Sequence, residues 1–336
     1  MRVISPKVEL INTKSILETV ERVGRVSYKS EDKIIDNLSA GTFVTRMENS
    51  GHWSVLEFGT LYYVIPEGKC VKFINTITNP YRPESRGSRL VKKDGLCYVT
   101  TNLRAFNQFK YEAIGKKDED QILEVTTLEK YRELPDPSVH KLRVTSHWIS
   151  SIAVSNQAMR SRIFSQLQES QRYCNYSKGK FGSELTFIIP YWAYEKEFNS
   201  LPAEAKGQIL HSINTSNEDW GTTMWEELKK VSKKCRRRDD YWKSVELEYM
   251  EEIKDGMLPE EARDVLDKQV KTEFYLCGFL DDWFYTPPEE SPEKAGFFSL
   301  RTAQSAQGDI RNLAISLKEQ MINEYDGPYF NYQITK

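Results

Sequence analysis

Between Gln157 and Tyr173 the chain carries its densest set of groups able to do chemistry. Three arginines (Arg160, Arg162, Arg172) share seventeen residues with Ser161, Ser165, Gln166, Gln168, Glu169, Ser170 and Gln171, directly after an apolar run. Guanidinium forks match phosphate oxygens, and amide side chains match the edge of a base. The cluster therefore reads as a pocket for a phosphorylated nucleotide, and equally as a solvated, Gln-rich segment. A helix continuing to Arg160 would place Gln157 and Arg160 on one face. Ser170 invites a nucleophile reading, but no Ser-His-Asp order accompanies it. Hydrogen bonding to a nucleotide suits it better.

Apolar spacing gives the elements that must hold this cluster. Residues 1–30 predict a short strand (Val3, Ile4, Val8, Leu10) and a helix over roughly 13–23, and 33–50 predict a helix ending near Gly51. Residues 54–66 alternate as a strand, 69–77 read as another strand, and 80–95 are rich in turn residues. A strand from residue 97 becomes a helix at Asn102-Leu103-Arg104. The charged stretch 115–137 reads as an exposed excursion. Residues 141–155 admit two readings, one of them a strand followed by a helix entering Asn156–Arg160. Helical spacing returns at 202–214, at 220–253 and from Pro259, whose following Glu260 and Glu261 suit a first turn. Residues 286–295 read as a loop and about 302–323 as the last helix. The fold class expected is α+β, a mixed sheet with a helical core and a helix-rich C-terminal half.

Composition narrows the function classes. In 336 residues, 47 basic side chains oppose 49 acidic ones for a net charge of −2, which does not point to nucleic acid or an anionic membrane. The run Lys229–Arg238 is basic but flanked by Glu226, Glu227, Asp239 and Asp240, so a solvated helix face is expected there. No run of 18 apolar residues and no apolar leader occurs, so a cytoplasmic protein is expected. Five scattered cysteines without a C-x-x-C pair and four histidines give no disulfide scaffold and no metal site. Neither a Rossmann glycine fingerprint nor a P-loop is present.

The run Arg160-Ser-Arg162, seven residues, Ser170-Gln-Arg172-Tyr173 resembles the signature of the flavin-dependent thymidylate synthases (ThyX), which is Arg-His-Arg, seven residues, Ser, then x-Arg-Tyr. Its continuation to Pro190 is similar to longer members. Gly24-Arg-Val-Ser27-Tyr28, Gly51-His52-Trp-Ser54-Val-Leu-Glu57, Leu258-Pro-Glu-Glu-Ala-Arg263 and Phe298-Ser-Leu-Arg301-Thr with Ala306-Gln-Gly-Asp-Ile-Arg311 resemble further family segments in the same order.

The resemblance implies a homotetrameric enzyme whose active sites are built by several subunits. It would make dTMP from dUMP, with methylenetetrahydrofolate giving the carbon and NADPH reducing a bound FAD. A single catalytic domain over 1–336 follows, with an elaboration at about 69–140. By the same resemblance Gln157, Arg160, Gln168, Ser170, Arg172, Arg263 and Arg301 would bind dUMP. Arg301 and Ser170 would act in catalysis, Arg301 by favouring negative charge on the pyrimidine. Ser27, His52, Ser54, Glu57, Arg160, Arg162 and Ile163 would hold FAD. Each has a plainer reading: His52 as a strand-entry cap, Glu57 paired with a surface lysine, Arg263 paired with Asp267, Arg301 as a helix-start arginine. Cys174 reads as a core residue.

The sequence departs from the family on the flavin side. Ser161 replaces the central histidine of Arg-His-Arg, Leu167 fills a position often small or amide, and Cys277-Gly-Phe279-Leu-Asp281-Asp-Trp283 replaces a segment that supplies an asparagine and an arginine to FAD. A carboxylate at Asp281 would repel a diphosphate. Residues 286–296 interrupt the approach to the last arginine. Three outcomes follow: FAD held by substitutes such as Asn102 or Arg104, a dUMP-binding homologue with altered chemistry such as hydroxymethylation, or an inactive or partner-dependent relative without flavin.

Overall fold

Strands and helices alternate through the first half of the chain, and helices dominate the second. The computed structural model describes residues 1–13, 15–35, 38–286 and 295–335, so the expected loop at 286–295 falls almost wholly outside the described residues. The first half runs β1 (Arg2–Ile4), β2 (Lys7–Leu10), α1 (Ile16–Val26), α2 (Ser39–Asn49), β3 (Thr60–Pro66), α3 (Val71–Ile77), β4 (Arg89–Lys93), β5 (Leu96–Asn102), α4 (Leu103–Lys116), α5 (Glu119–Leu128), β6 (Arg143–Ser151), α6 (Ile152–Ala158) and β7 (Ser165–Gln168). After β8 (Thr186–Ile188), a π-helical turn at Trp192–Glu197 continues into α7 (Phe198–Ser200). Then follow α8 (Ala203–Thr215), α9 (Trp220–Val231), α10 (Lys233–Lys254), α11 (Pro259–Ala262), β9 (Lys271–Phe279), α12 (Leu280–Phe284), α13 (Phe297–Arg301), α14 (Gly308–Tyr325) and α15 (Phe330–Ile334). The class is α+β, as the sequence predicts.

An antiparallel sheet ordered β2-β6-β9-β7 carries the site. Successive side chains of β9 point to opposite faces. Phe274 and Leu276 join Trp148 against Leu313, Leu317 and Met321 of α14, while Tyr275 and Cys277 meet Val23 of α1 and Phe43 and Met47 of α2. Helices therefore cover both faces, which explains why β6 and β9 are buried nearly throughout. A second sheet, β3-β5-β4, has its own core of Tyr63, Val99, Phe73 and Phe109 beneath α3–α5. The parallel pair β1-β8 packs on α9 and α10, where Phe187, Trp225 and Trp242 meet. Among the described residues no helix is long and apolar enough to cross a membrane.

Several expectations are corrected. Residues 69–77 form a helix, not a strand. Their β-branched composition is misleading, because Phe73, Ile74 and Ile77 share the helical face that is buried. The strand expected at 54–66 begins only at Thr60, after a 3-10 turn over Trp53–Phe58. The helix expected at 33–50 is confined to Ser39–Asn49. The excursion at 115–137 contains α5, whose start is capped by Asp118 accepting from the Gln121 N–H at 3.0 Å and whose Leu128 is buried. Residues 80–95 include β4. The helical run 220–253 breaks at Ser232, which caps α10, and the last helix, expected from about 302, begins only at Gly308 and runs to Tyr325, after the separate short α13.

Candidate functional site

Three chain ends build a cleft. α1 delivers Ser27 and Tyr28, the 3-10 turn after His52 delivers Ser54, and the exit of β7 delivers Ser170 and Tyr173. Together with Leu167 and Arg104 these residues line a space of about 450 Å³. A smaller recess of about 180 Å³ is lined by Glu57, Arg86, Asn102, Arg162 and Ile163, again with Arg104. Arg104 belongs to both walls, so the two spaces adjoin. Six of the residues assigned to FAD (Ser27, His52, Ser54, Glu57, Arg162 and Ile163) are thereby gathered along one run, although they come from segments far apart in sequence.

The wall of the cleft is aromatic. The Tyr28 ring lies parallel to His52, with 6.3 Å between centroids and 9° between planes, and 5.2 Å from the Tyr173 ring. The Tyr28 hydroxyl meets His52 Nδ1 at 3.1 Å. Burial raises the Tyr28 pKa, with the Tyr173 hydroxyl adding to it, so the phenol stays neutral. On the opposite side Arg104 donates to Glu57 Oε1 at 2.5 Å, while its Nε is buried without a hydrogen-bond partner. A buried donor left unpaired costs roughly 1–3 kcal/mol, and a polar ligand in the recess would satisfy it. Glu57 thus pairs with an arginine of α4, not with a surface lysine. Its carbonyl also accepts from Arg143 at 2.8 Å. Asn102 caps α4 through Oδ1, which accepts from the Ala105 N–H at 3.0 Å.

The arginines fall into two groups. In the first, Arg301 donates to the carbonyl of Gln157 at 2.8 Å, and its Nε is buried and unpartnered. Burial, and the nearby charge of Arg160, hold the Arg301 pKa below its ordinary value. Two guanidiniums left together in this way favour an anion between them. In the second, exposed Arg172 is bonded through Nε to Glu260 Oε2 at 2.7 Å, which raises its pKa. Arg263 follows Glu260 by one helical turn. Among the described residues no hydrogen bond or ion pair joins the two groups.

Helix α6 stops at Ala158, so Arg160 lies in a turn rather than on a helical face with Gln157. That turn is closed by Gln166, whose amide donates to the carbonyls of Met159 and Ser161 at 3.0 and 2.9 Å. Gln168 is turned inward, donating to Ser155 Oγ and Thr272 Oγ1, both at 3.0 Å. These two bonds tie β7 to α6 and β9. Arg301 stands in the last turn of α13, not at a helix start, and Arg263 makes no ion pair with Asp267. Cys174 is fully buried, and burial followed by the charge of Glu169 pushes its thiol up to about 12.

The segment 277–283 is core. Phe164 packs on Trp283 at 4.3 Å between centroids, and a Cβ on Gly278 would stand 2.1 Å from the Phe164 ring. Asp281 is buried at the start of α12, and Arg89 lies 3.9 Å from it and 3.3 Å from Asp282. Asp281 lines neither space, with Arg89 as a nearby cation.

Behind Ser170 lies a charge network that the sequence reading passed over. Glu169 is buried, accepts from the Tyr176 hydroxyl at 3.0 Å and pairs with Lys271 at 3.0 Å. Lys271 also meets Glu273 at 2.7 Å, as Lys29 does, and His147 Nε2 stands 3.3 Å from Glu273. Burial alone would push Glu273 up, but His147, Lys271 and Lys29 hold it well below the carboxylate range. The network pins the backbone at residue 169, and the Ser170 N–H then donates to the Ser27 carbonyl at 3.2 Å. The available signal was the pair Lys271 and Glu273, two residues apart and so on one face of β9.

A sequence model of the thymidylate synthase complementing protein family matches residues 142–325, more than half of the chain and from β6 onward. Among solved structures, the chain is similar to the crystal structure of a UMP/dUMP methylase PolB from Streptomyces cacaoi bound with 5-Br dUMP. That match has 17% identity and a TM-score of 0.39, covering 99% of this chain and 96% of that one. The structure of the same methylase bound with 5-Br UMP matches at 14% identity and a TM-score of 0.38, covering 96% and 92%. No curated protein sequence matches.

Proposed function

The chain belongs to the thymidylate synthase complementing protein family, and from that premise we propose that it converts dUMP to dTMP by reductive methylation. Methylenetetrahydrofolate would give the carbon and NADPH the electrons, by way of FAD. The observation that carries the reading is the cleft itself. It joins Ser27, His52, Ser54 and Ser170 to Glu57, Arg162 and Ile163 through Arg104.

The residues present fit a flavin dinucleotide. The Tyr28, His52 and Tyr173 rings offer a surface for a planar system. Arg104, Arg86 and Arg162 offer cations for a diphosphate, and the unpartnered Arg104 Nε is a donor waiting for an acceptor. Arg104 and Asn102 take over the part lost with the 277–283 segment. When bound, FAD supplies the hydride that reduces the transferred carbon to methyl.

The chain's own side chains do the rest. Arg172 and Arg263 hold the phosphate of dUMP, with the Ser170 hydroxyl as a hydrogen-bond donor beside them. Arg301 and Arg160 favour negative charge on the pyrimidine, and the half-buried setting of Arg301 strengthens that effect. Gln157 positions Arg301 through its carbonyl. We read the working enzyme as a cytoplasmic homotetramer in which neighbouring copies complete each site, as the family resemblance implies. The whole of 1–336 is one catalytic domain in this reading, elaborated at about 69–140.

A second reading rests on Ser161 and on the buried 277–283 segment: a dUMP-binding homologue with altered chemistry, such as pyrimidine hydroxymethylation, or a nucleotide-binding protein without flavin. An absorption spectrum separates the two. The protein is mixed with FAD and desalted, with and without dUMP, and then assayed for NADPH oxidation and dTMP. Retained flavin and dTMP formation support the synthase. A colourless protein that still binds dUMP by calorimetry favours the second reading.

A further inference from the structure

A space of about 830 Å³, within the range of small-molecule sites, lies away from the cleft between the π-helical turn at 192–197 and the first turns of α10. Its charge runs against that of the chain. Lys196, Lys234, Arg237 and Arg238 face Glu197 and Asp267, four cations to two carboxylates, in a protein whose net charge is −2. Both carboxylates are already engaged. Glu197 accepts from Lys234 at 2.7 Å and from Ser232 at 2.9 Å, and Asp267 accepts from the Gln269 N–H at 2.7 Å. Among the described residues no carboxylate lies within ion-pair distance of Lys196 or Arg237. The basic run expected to be a plain solvated face therefore lines a concavity at this end.

Two further observations point to a ligand. Trp192 and Tyr241 add aromatic surface to the same walls, and Arg238 lies over the Trp242 and Tyr241 rings at 5.7 and 6.0 Å. A cation held over rings is fixed in place and keeps its donors for an anion. The wall carrying Trp192, Lys196 and Glu197 is a π-helical turn, a rare geometry that is frequent at functional sites.

We propose that this cavity binds a nucleoside polyphosphate, with its ring against Trp192 and Tyr241 and its phosphates against Lys196, Lys234, Arg237 and Arg238. The site is separate from the dUMP cleft and does not depend on it.

ATP is the probe, titrated into the full chain preloaded with FAD, desalted and held in excess dUMP, so that neither the flavin cleft nor the dUMP groups are available to it. Binding should quench tryptophan fluorescence, and Trp192→Phe should remove most of the quench. The exposed double substitution Lys196→Ala with Arg237→Ala should weaken ATP by about tenfold or more, with circular dichroism unchanged. Inorganic triphosphate should bind more weakly than ATP, and adenosine alone should not bind. No ATP binding by the unaltered protein, or affinity unchanged in the double variant, overturns the site. Triphosphate binding as tightly as ATP overturns the nucleoside half. Since neither substituted residue touches the cleft, flavin retention and dUMP affinity read the proposed function independently.

Discussion

Arg172 already holds a carboxylate, and that contact indicates what it does next. Its bond to Glu260 is exposed on both sides, so little stability rests on it. A phosphate can displace Glu260 at small cost. Arg172→Ala should weaken dUMP binding by roughly tenfold or more through loss of a charge-assisted contact, and unchanged affinity in calorimetry would refute the assignment. Glu260→Gln should leave folding intact and tighten dUMP. Arg104→Ala removes the cation common to both spaces and should abolish flavin retention after desalting while leaving dUMP affinity in place. Loss of Lys271 should cost stability rather than binding. Lys271→Met leaves Glu169 and Glu273 buried without that partner, a change worth about 3–5 kcal/mol, readable by urea denaturation. The same network sets the acid limit. The Glu273 pKa is lower in the folded state than its ordinary 4.5, so its contribution is complete above that pH and is lost as pH falls below it. Burial would lower the Lys271 pKa, but Glu169 and Glu273 raise it above 10.5, so its contribution holds below that value and is lost as pH rises past it. Denaturation midpoints measured from pH 6 down to pH 3 should therefore drop most steeply below about 4.5.

At the level of elements, the turn between α6 and β7 is held by Phe164, which is clamped between Gly278 and Trp283. Phe164→Ala should cost about 3–5 kcal/mol and loosen Arg160 and Arg162 together, lowering both unfolding midpoint and flavin retention. This is also where sequence reading met its limit. The strand-to-helix switch at Asn102 was legible because a cap residue ends an alternating run. The residues His52, Ser54 and Ser170 were legible because a motif fixes their spacing. Residues 69–77 were not, since Val71, Phe73, Ile74 and Ile77 suit both periods and only the neighbouring sheet decides. The burial of Asp281 was not legible for a related reason: a segment that faces a ligand and one that faces a core differ in what packs behind them. Here that is Phe164, more than a hundred residues away in the chain.

Across the whole molecule, one sheet covered on both faces serves as the frame, and the functional side chains sit at its edge, where β7 is the last strand. In the proposed homotetramer each site draws its arginines from more than one copy. Mixing Arg172→Ala with Arg301→Ala protein should therefore restore part of the activity that each lacks alone, because a hybrid assembly holds some sites with both groups intact. No restoration after unfolding and refolding the mixture would mean that each site is built within one chain. A site shared between copies at the exposed edge of the sheet has a kinetic consequence as well. If one copy carries only half of the groups that grip the substrate, turnover per chain is a property of concentration. Specific activity should fall as the enzyme is diluted, and the midpoint of that fall measures how tightly the copies hold one another.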